Sequence, residues 1–405
     1  MGLIGFAMRL LFLSHYFKPE GNAPASRTYE HCKRWVAAGH EVTVITSCPN
    51  VPHGRPYAGY RNRLVQEEWM DGIRVIRVWT FLAANKGTVR RTLNYLSYFV
   101  SANVRAIGLR GIDVIVATSP QFFCGLAGSV VSMLQRKPFV LEIRDIWPES
   151  IEAVGALGAR SGMAMLAWME RWMYRSARHI VCVGNGYRGK LLERGVAEES
   201  ISVITNGADL SVYGPGEGCE VLRERFGLRG KFVVAYVGTL GMACGLEVVM
   251  DAAAAMVCDD VVFLLVGDGA RRGELEEMAK ERGLDQVMFT GQVEKGEIPA
   301  LLRTVDVCLV HLRGLPLFRT VLPSKIFEAF ATGKPIIVGV PEMRVLSFWR
   351  LRLGLRLLRK MLKRWWRRCR SFAMTLNVRG SWELMAGGWW NRITIGMFWP
   401  SGFLK

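Results

Sequence analysis

Short apolar runs alternate with longer amphipathic stretches along most of the chain. The first strand pattern is Arg9-Leu-Leu-Phe-Leu-Ser14, and a polar loop bearing Gly and Pro spans 15–24. A helical stretch over 25–38 is closed by Gly39, and a second buried strand follows at 41–46. Continuously apolar strands joined by helices predict a parallel sheet. Further strands are predicted at 73–79, 114–117, 139–143 and 179–183, with helices between them. At 202–206 a strand runs into Asn206-Gly207, and 210–230 is rich in loop residues. The alternation then restarts, with strands at 232–237, 261–266, 286–289, 307–312 and 335–340 and helices at 246–256, 273–282, 295–304 and 324–332. Two successive α/β series predict two doubly wound domains, 1–205 and 206–341, facing each other across a cleft. In such folds ligands sit beyond the carboxyl ends of strands, so the loops after strands are where chemistry belongs.

After Pro341 the pattern fails. Residues 342–405 carry 14 Lys and Arg against 2 acids and hold 7 of the 13 Trp, including Trp-Trp-Arg-Arg at 365–368 and Gly387-Gly-Trp-Trp390. The whole chain of 405 residues is +18, yet its first 341 residues carry only 39 basic against 33 acidic side chains. The basic excess therefore belongs to the tail, and no nucleic-acid partner is expected for the body. Half the residues are hydrophobic and 22% are charged, which excludes global disorder. Nine scattered Cys without a CxxC pair argue against a zinc site or a disulfide framework and for a reduced, cytoplasmic setting. Residues 1–14 are apolar, but Arg9 interrupts them and no signal-peptide pattern follows. The longest uncharged apolar run, 122–134, is shorter than the ~20 residues that span a bilayer. The expectation is a soluble protein, or one lying peripherally on the inner face of a membrane.

Several strand-end segments carry candidate chemistry. Gly238-Thr-Leu-Gly241 and Gly267-Asp-Gly269 are either tight turns or places where backbone N–H groups approach a phosphate. In 318–335, Arg319 and Lys325 bracket a predicted helix start opened by Pro323 and Ser324. Cations beside free N–H groups suit a diphosphate, and Glu328, one turn later, suits a vicinal diol. The plainer alternative is a capped surface helix with a solvated Lys and Glu. Arg144 and Asp145, at the end of the 139–143 strand, are either an ion pair pinning a loop or substrate contacts. Glu20-Gly21-Asn22 is the equivalent loop after the first strand, and His15 and His311 read as structural.

Jointly these segments resemble the family 4 glycosyltransferases of the GT-B fold, particularly the branch that builds bacterial polysaccharides. The resemblance rests on Leu13-Ser-His-Tyr-Phe-Lys-Pro-Glu20, Gly39-His-Glu-Val-Thr43, Arg144-Asp-Ile-Trp-Pro-Glu149, Ile204-Thr-Asn-Gly-Ala-Asp209, Tyr236-Val-Gly-Thr-Leu-Gly241, Val266-Gly-Asp-Gly269 and the 319–335 block, in order over 9–341. It implies transfer of a sugar, with retention, from a nucleotide-sugar donor of the UDP type to a saccharide or lipid-linked saccharide acceptor in cell-surface polysaccharide synthesis. Gly21 would face the donor's sugar and phosphate, and Asp145 and Arg144 would line the reaction centre. Gly238, Thr239 and Ser324 would join the donor site, with Arg319 and Lys325 as diphosphate cations and Glu328 on the ribose hydroxyls. The resemblance implies no obligatory metal and no cofactor beyond the donor, and no Asp-x-Asp pair stands ready to hold one. The family's first glutamate falls at Thr320, which leaves donor-sugar recognition open. No residue points to a nucleophile, so stabilisation of the leaving diphosphate by cations and N–H dipoles is the expected source of catalysis.

Other readings compete. A UDP-sugar epimerase shares the fold, and an inactive relative that binds membranes through its basic tail would share the sequence features. A membrane face is also suggested by Arg90-Arg91 followed by Leu93, Tyr95, Leu96, Tyr98 and Phe99, as an interfacial patch or as core. The tail itself reads as a frame-shifted translation. Trp has the single codon UGG, and one base earlier Trp349-Arg350 becomes Leu-Glu when the Arg codon is AGG. Trp365-Trp366-Arg367-Arg368 likewise becomes an apolar residue, Val, and two Glu or Ala. Acidic, Ala-rich helices of that kind are what the second domain needs for its completion, so the enzyme as given is expected to be impaired.

Overall fold

The apolar runs fold as strands buried along nearly their whole length. β1 (Arg9–Leu13) and β2 (Glu41–Ser47) expose only their first residues, Arg9 and Glu41. The computed structural model describes residues 7–51, 53–84, 88–119, 121–146, 160–255, 260–313 and 323–339, with the side chains of 88 and 160–163 aside. Arg319, Thr320, Trp147-Pro-Glu149 and the tail 342–405 lie outside the described residues. The chain divides after Asn206 into two compact units.

In the first unit β1 and β2 join β3 (Val65–Met70), β4 (Ile73–Val78), β5 (Val114–Thr118), β6 (Phe139–Ile143), β7 (His179–Cys182) and β8 (Ile201–Val203). The sheet order is β3-β4-β2-β1-β5-β6-β7-β8. All pairings are parallel except β3 with β4, which corrects the expectation of an all-parallel sheet. Asp71-Gly72 joins that pair with φ of 48° and 77°, the left-handed conformation a two-residue hairpin turn demands. Glu67 and Glu68 keep this edge strand charged, which discourages further pairing. The helices are α1 (Ala23–Ala37), α2 (Thr88–Ile107), α3 (Phe122–Gln135), α4 (Arg160–Ser176) and α5 (Asn185–Glu193). None among the described residues is long and apolar enough to cross a membrane. Asn22 caps α1 by accepting from the Ala25 N–H at 2.9 Å. α3 lies so close to the sheet that a Cβ on Gly128 would fall 2.5 Å from the Phe139 ring and 2.7 Å from Ala117 Cβ.

The second unit contains β9 (Phe232–Val237), β10 (Val261–Val266), β11 (Val287–Gly291), β12 (Val307–His311) and β13 (Ile336–Gly339), all parallel, in the order β11-β10-β9-β12-β13. Its helices are α6 (Glu220–Arg225), α7 (Glu247–Ala255), α8 (Arg272–Glu281), α9 (Ile298–Thr304) and α10 (Lys325–Ala331). β9 shows why such strands lack polar alternation. Val233 and Ala235 enter one core with Leu301 and Ile326, while Val234 and Tyr236 enter another with Val249 and Leu275. Strand order reverses about β1 in the first sheet and about β9 in the second. The carboxyl ends of those two strands are the switch points where sheets of this kind bind ligands.

The first unit also buries a charge cluster. Arg27 of α1 donates to Glu142 of β6 at 2.6 Å, with both side chains almost inaccessible. Its other N–H groups reach the carbonyls of Ile204 and Thr205 and the Asn206 side chain. Thr118 donates to the second Glu142 oxygen at 2.6 Å. Burial pushes the Glu142 carboxyl up, but Arg27, then Arg144 and His31, outweigh it and hold it below the usual range.

Two predictions follow from this packing. Gly128→Ala should lower the stability of the first unit by about 1–3 kcal/mol through overpacking. Gly189→Ala, inside α5 with open space around its Cβ position, should raise it by roughly 0.5–1 kcal/mol. Urea unfolding of the two variants checks both signs. Glu142→Gln should cost about 3–5 kcal/mol at pH 7, because Arg27 and Arg144 lose their counter-charge. The folded pKa of Glu142 is depressed, so this stability is present above the unfolded carboxylate range and is lost as pH falls through the folded value. The acid loss of stability should therefore be shallower in the variant.

Candidate functional site

In the second unit the chemistry gathers at the switch point. Gly238 follows β9 with φ +137°, and Gly267 follows β10 with φ +133°. A Cβ on Gly267 would lie 2.2 Å from the Gly238 carbonyl oxygen, so the two loops meet backbone to backbone. The Gly238 N–H donates to Val266 O at 2.8 Å, and the Leu240 N–H to Asp268 O at 3.0 Å. Both glycines are therefore steric requirements of the turn, whatever else they do.

Lys325, the first residue of α10, reaches into this junction. Its Nζ lies 3.6 Å from the centroid of the Tyr236 ring and 2.6 Å from where a Cβ on Gly238 would stand. A side chain at 238 would displace the amine. Lys325 Nζ is buried and finds no hydrogen-bond acceptor among the described residues. Burial pulls its pKa down to about 8, against the upward pull of Cys244 and Glu328. An ammonium held dry over an aromatic face keeps three unused N–H donors, and an anion is what would satisfy them. The bland alternative of a solvated lysine does not hold.

Glu328 stands one turn along α10, half-buried. Burial raises its pKa, partly offset by Lys295 and Lys325, and the Tyr213 hydroxyl donates to it. A carboxylate has about four lone-pair sites, so one phenol leaves room for a diol. Ser324 precedes the helix but makes no capping hydrogen bond. Thr239 is exposed, and its carbonyl accepts from the Tyr236 hydroxyl at 2.8 Å. The structure thus brings together Gly238, Thr239, Ser324, Lys325 and Glu328. Arg319, predicted beside them, lies outside the described residues. His311 is held by the Cys244 carbonyl at 2.7 Å, as a structural histidine would be.

The first unit supplies Gly21, Arg144 and Asp145. Gly21 is exposed, and nothing lies within 4 Å of its Cβ position. Glu20 is buried and braces this loop, accepting from the N–H groups of Asn50 at 2.8 Å and Val51 at 3.1 Å. Among the described residues no ion pair joins Arg144 to Asp145, although each feels the other's charge. Arg144 Nη1 is buried without a partner among those residues. Burial pushes the Asp145 carboxyl up to about 6, with Arg144 pulling it back. At that value the group can hold or release a proton near neutral pH. His15 is buried edge-on against Tyr16, Tyr95 and Tyr98, and burial lowers its pKa to about 3, so it stays neutral.

Sequence reasoning missed Tyr236, Tyr213 and the Arg27–Glu142 pair. Tyr236 and Glu142 lie within segments already singled out, but only the fold turns them toward a cation. Of the two readings of 90–99, interfacial patch or core, each holds for part of the segment. Tyr98 is fully buried, Phe99 stacks edge-on with Phe123, and only Leu93 and Leu96 of its apolar members are exposed.

Comparison with known proteins gives a consistent placement. Residues 22–207 match the family model described as a glycosyl transferase 4-like domain, and 231–343 match that of the glycosyl transferases group 1. The chain is 28% identical over 343 residues to a putative colanic acid biosynthesis glycosyl transferase, WcaI, of Escherichia coli K12, covering 82% of this chain and 83% of that protein. It is 26% identical over 335 residues to a GDP-mannose-dependent alpha-mannosyltransferase of Mycobacterium tuberculosis, covering 82% and 78%. The crystal structure of HepE from Anabaena in complex with UDP superposes with a TM-score of 0.55 at 21% identity, covering 81% of this chain and 80% of that one. One family model falls on each unit: the chain belongs to the family 4 glycosyltransferases, and its two Rossmann-like units are those of the GT-B fold.

Proposed function

We propose that this glycosyltransferase takes a nucleoside-diphosphate sugar of the UDP type and transfers the sugar, with retention, to a saccharide or lipid-linked saccharide in cell-surface polysaccharide synthesis. The observation that carries the donor assignment is the buried Lys325 amine beside Gly238, without a hydrogen-bond partner among the described residues and one helical turn from Glu328. In this reading Lys325, with Arg319, meets the diphosphate, while Gly238, Thr239 and Ser324 line its approach and Glu328 takes the ribose hydroxyls. Departure of the nucleoside diphosphate builds negative charge on the oxygen beside Lys325, and a cation already desolvated there stabilises it without reorganisation. Gly21, Arg144 and Asp145 are assigned to the sugar and acceptor side, with Asp145 able to manage a proton. The protein's own cations, rather than a metal, carry the charge. WcaI's description supports the polysaccharide setting, and the UDP bound to HepE supports the base. The GDP-mannose-dependent relative makes GDP the alternative base to test. The scattered cysteines, without a CxxC pair, support a cytoplasmic location. We also infer that 342–405 is a frame-shifted stretch: the group 1 match ends at residue 343, where the composition changes.

Titration calorimetry with UDP, GDP and their sugars tests the donor. UDP should bind, and Glu328→Ala should weaken it by about 1.5–3 kcal/mol, the worth of hydrogen bonds to a charged group. An unchanged affinity in the folded variant would remove Glu328 from the site. Lys325→Met should lose at least roughly tenfold in UDP affinity yet gain about 1–3 kcal/mol of stability, since it buries no charge. Sequencing the coding DNA tests the tail: restoring one base near codon 341 should open a frame rich in Glu and Ala, and its absence ends the idea.

A further inference from the structure

A surface helix ordinarily turns a polar face to solvent. α2 does not. Its inner side is Asn94, Tyr98, Ala102 and Ala106, all buried. Its outer side is Val89, Leu93, Leu96, Val100, Val104 and Ile107, exposed by 74%, 47%, 39%, 57%, 71% and 49%. At 3.6 residues per turn these six fall within an arc of about 80° and run the length of a helix about 30 Å long. Single exposed aliphatic residues need no explanation, but an aligned row of six does. The row continues past the helix. Gln135, at the end of α3, donates to the carbonyls of Ala106 and Leu109, which ties the carboxyl ends of α2 and α3 together. Beside it Met133 and Leu134 are exposed by 61% and 55%.

Arginines border this face, and the ion pair between Arg105 of α2 and Glu67 of β3 lies toward the other side of the helix. α2 and α3 contain no carboxylate, and the one on α4, Glu170, is buried and paired with Arg194. Arg90 on α2, Arg110 just after it and Arg136 just after α3 are exposed. Residues 1–206 carry 25 Lys and Arg against 15 Asp and Glu, a net of +10, while 207–341 carry 14 against 18, a net of −4. The mild average over the first 341 residues therefore hides a strongly basic first unit.

We propose that the outer face of α2, extended by the end of α3, docks the first unit on an anionic phospholipid bilayer. The aliphatic stripe enters the acyl boundary while the arginines meet the headgroup phosphates. A second copy fits less well, because a two-fold contact would set these arginines against one another with no carboxylate from α2 or α3 between them. This deepens the lipid-linked acceptor named above. It is read by vesicle partition rather than nucleotide binding, so either reading can fail without the other.

The test is flotation of the full-length protein with phosphatidylcholine vesicles, with and without phosphatidylglycerol. The protein should float with the anionic vesicles and release as salt is raised. Leu93→Glu with Val100→Glu should lower the partition roughly tenfold or more, by removing apolar burial from the stripe. Val221→Glu, at a valine exposed by 71% in the second unit, should leave it unchanged. Retention of the unfolding midpoint and of the circular dichroism spectrum confirms that the variants are folded. Arg110→Glu with Arg136→Glu, which spares the stripe, should lower the partition and its salt dependence. Equal partition of the stripe variant and the wild type would overturn the proposal, since binding would then lie elsewhere, for example in 342–405. So would a lack of partition, or a dimer that the stripe variant dissociates while vesicles are ignored.

Discussion

An ammonium group buried without an acceptor among the described residues is the constraint around which the second unit is arranged. Lys325 Nζ sits over the Tyr236 ring at 3.6 Å with no hydrogen-bond partner among the described residues. Folding around it costs free energy that an ordinary solvated lysine would not. Gly238 must lack a Cβ to admit the amine, and Gly267 must lack one to admit the Gly238 carbonyl. Both glycines follow strands at the place where the sheet order reverses about β9. Fold, turn chemistry and charge therefore converge on one atom, and the diphosphate proposed as the leaving group is the anion that would use it.

The first unit handles its buried charge differently. Glu142 is surrounded by Arg27, Arg144 and Thr118, and Arg27 is saturated by the carbonyls of Ile204 and Thr205. That cluster holds the end of β6 and the exit of the chain in one place. Arg144 is the member left with an unused buried donor, and it stands next to Asp145, whose carboxyl burial raises to about 6. In the reading proposed above, the satisfied cluster is scaffold and the neighbouring Arg144 and Asp145 are the groups that meet substrate. On the other side of the sheet layer, α2 spends its inner face on packing and leaves an aliphatic row outward.

Much of this was legible from the residues. The two α/β series, the strand-end glycines and the Lys325–Glu328 spacing all appear as linear patterns, and buried parallel strands make the strongest such signal. β3 was missed because Glu67 and Glu68 break its apolar run, although Asp71-Gly72 beside it marks a hairpin turn. At 90–99 the sequence leaves patch and core open, because neighbours in sequence do not share a helix face. Helical geometry instead sends Tyr98 inward and lines Leu93 and Leu96 up with Val89, Val100, Val104 and Ile107. The burial of Lys325 could not be read at all. A lysine after Pro-Ser looks like a solvated helix start until the fold lays Tyr236 and Gly238 against it.

The protonation of Lys325 tests the central claim most directly. NMR titration of the lysine side-chain resonances, assigned by comparison with Lys325→Met, would follow its pKa in the free and UDP-bound protein. The account predicts about 8 in the free protein and a clear rise when the diphosphate supplies the missing acceptor. An ordinary lysine value near 10.5 in the free protein, unmoved by UDP, would contradict it.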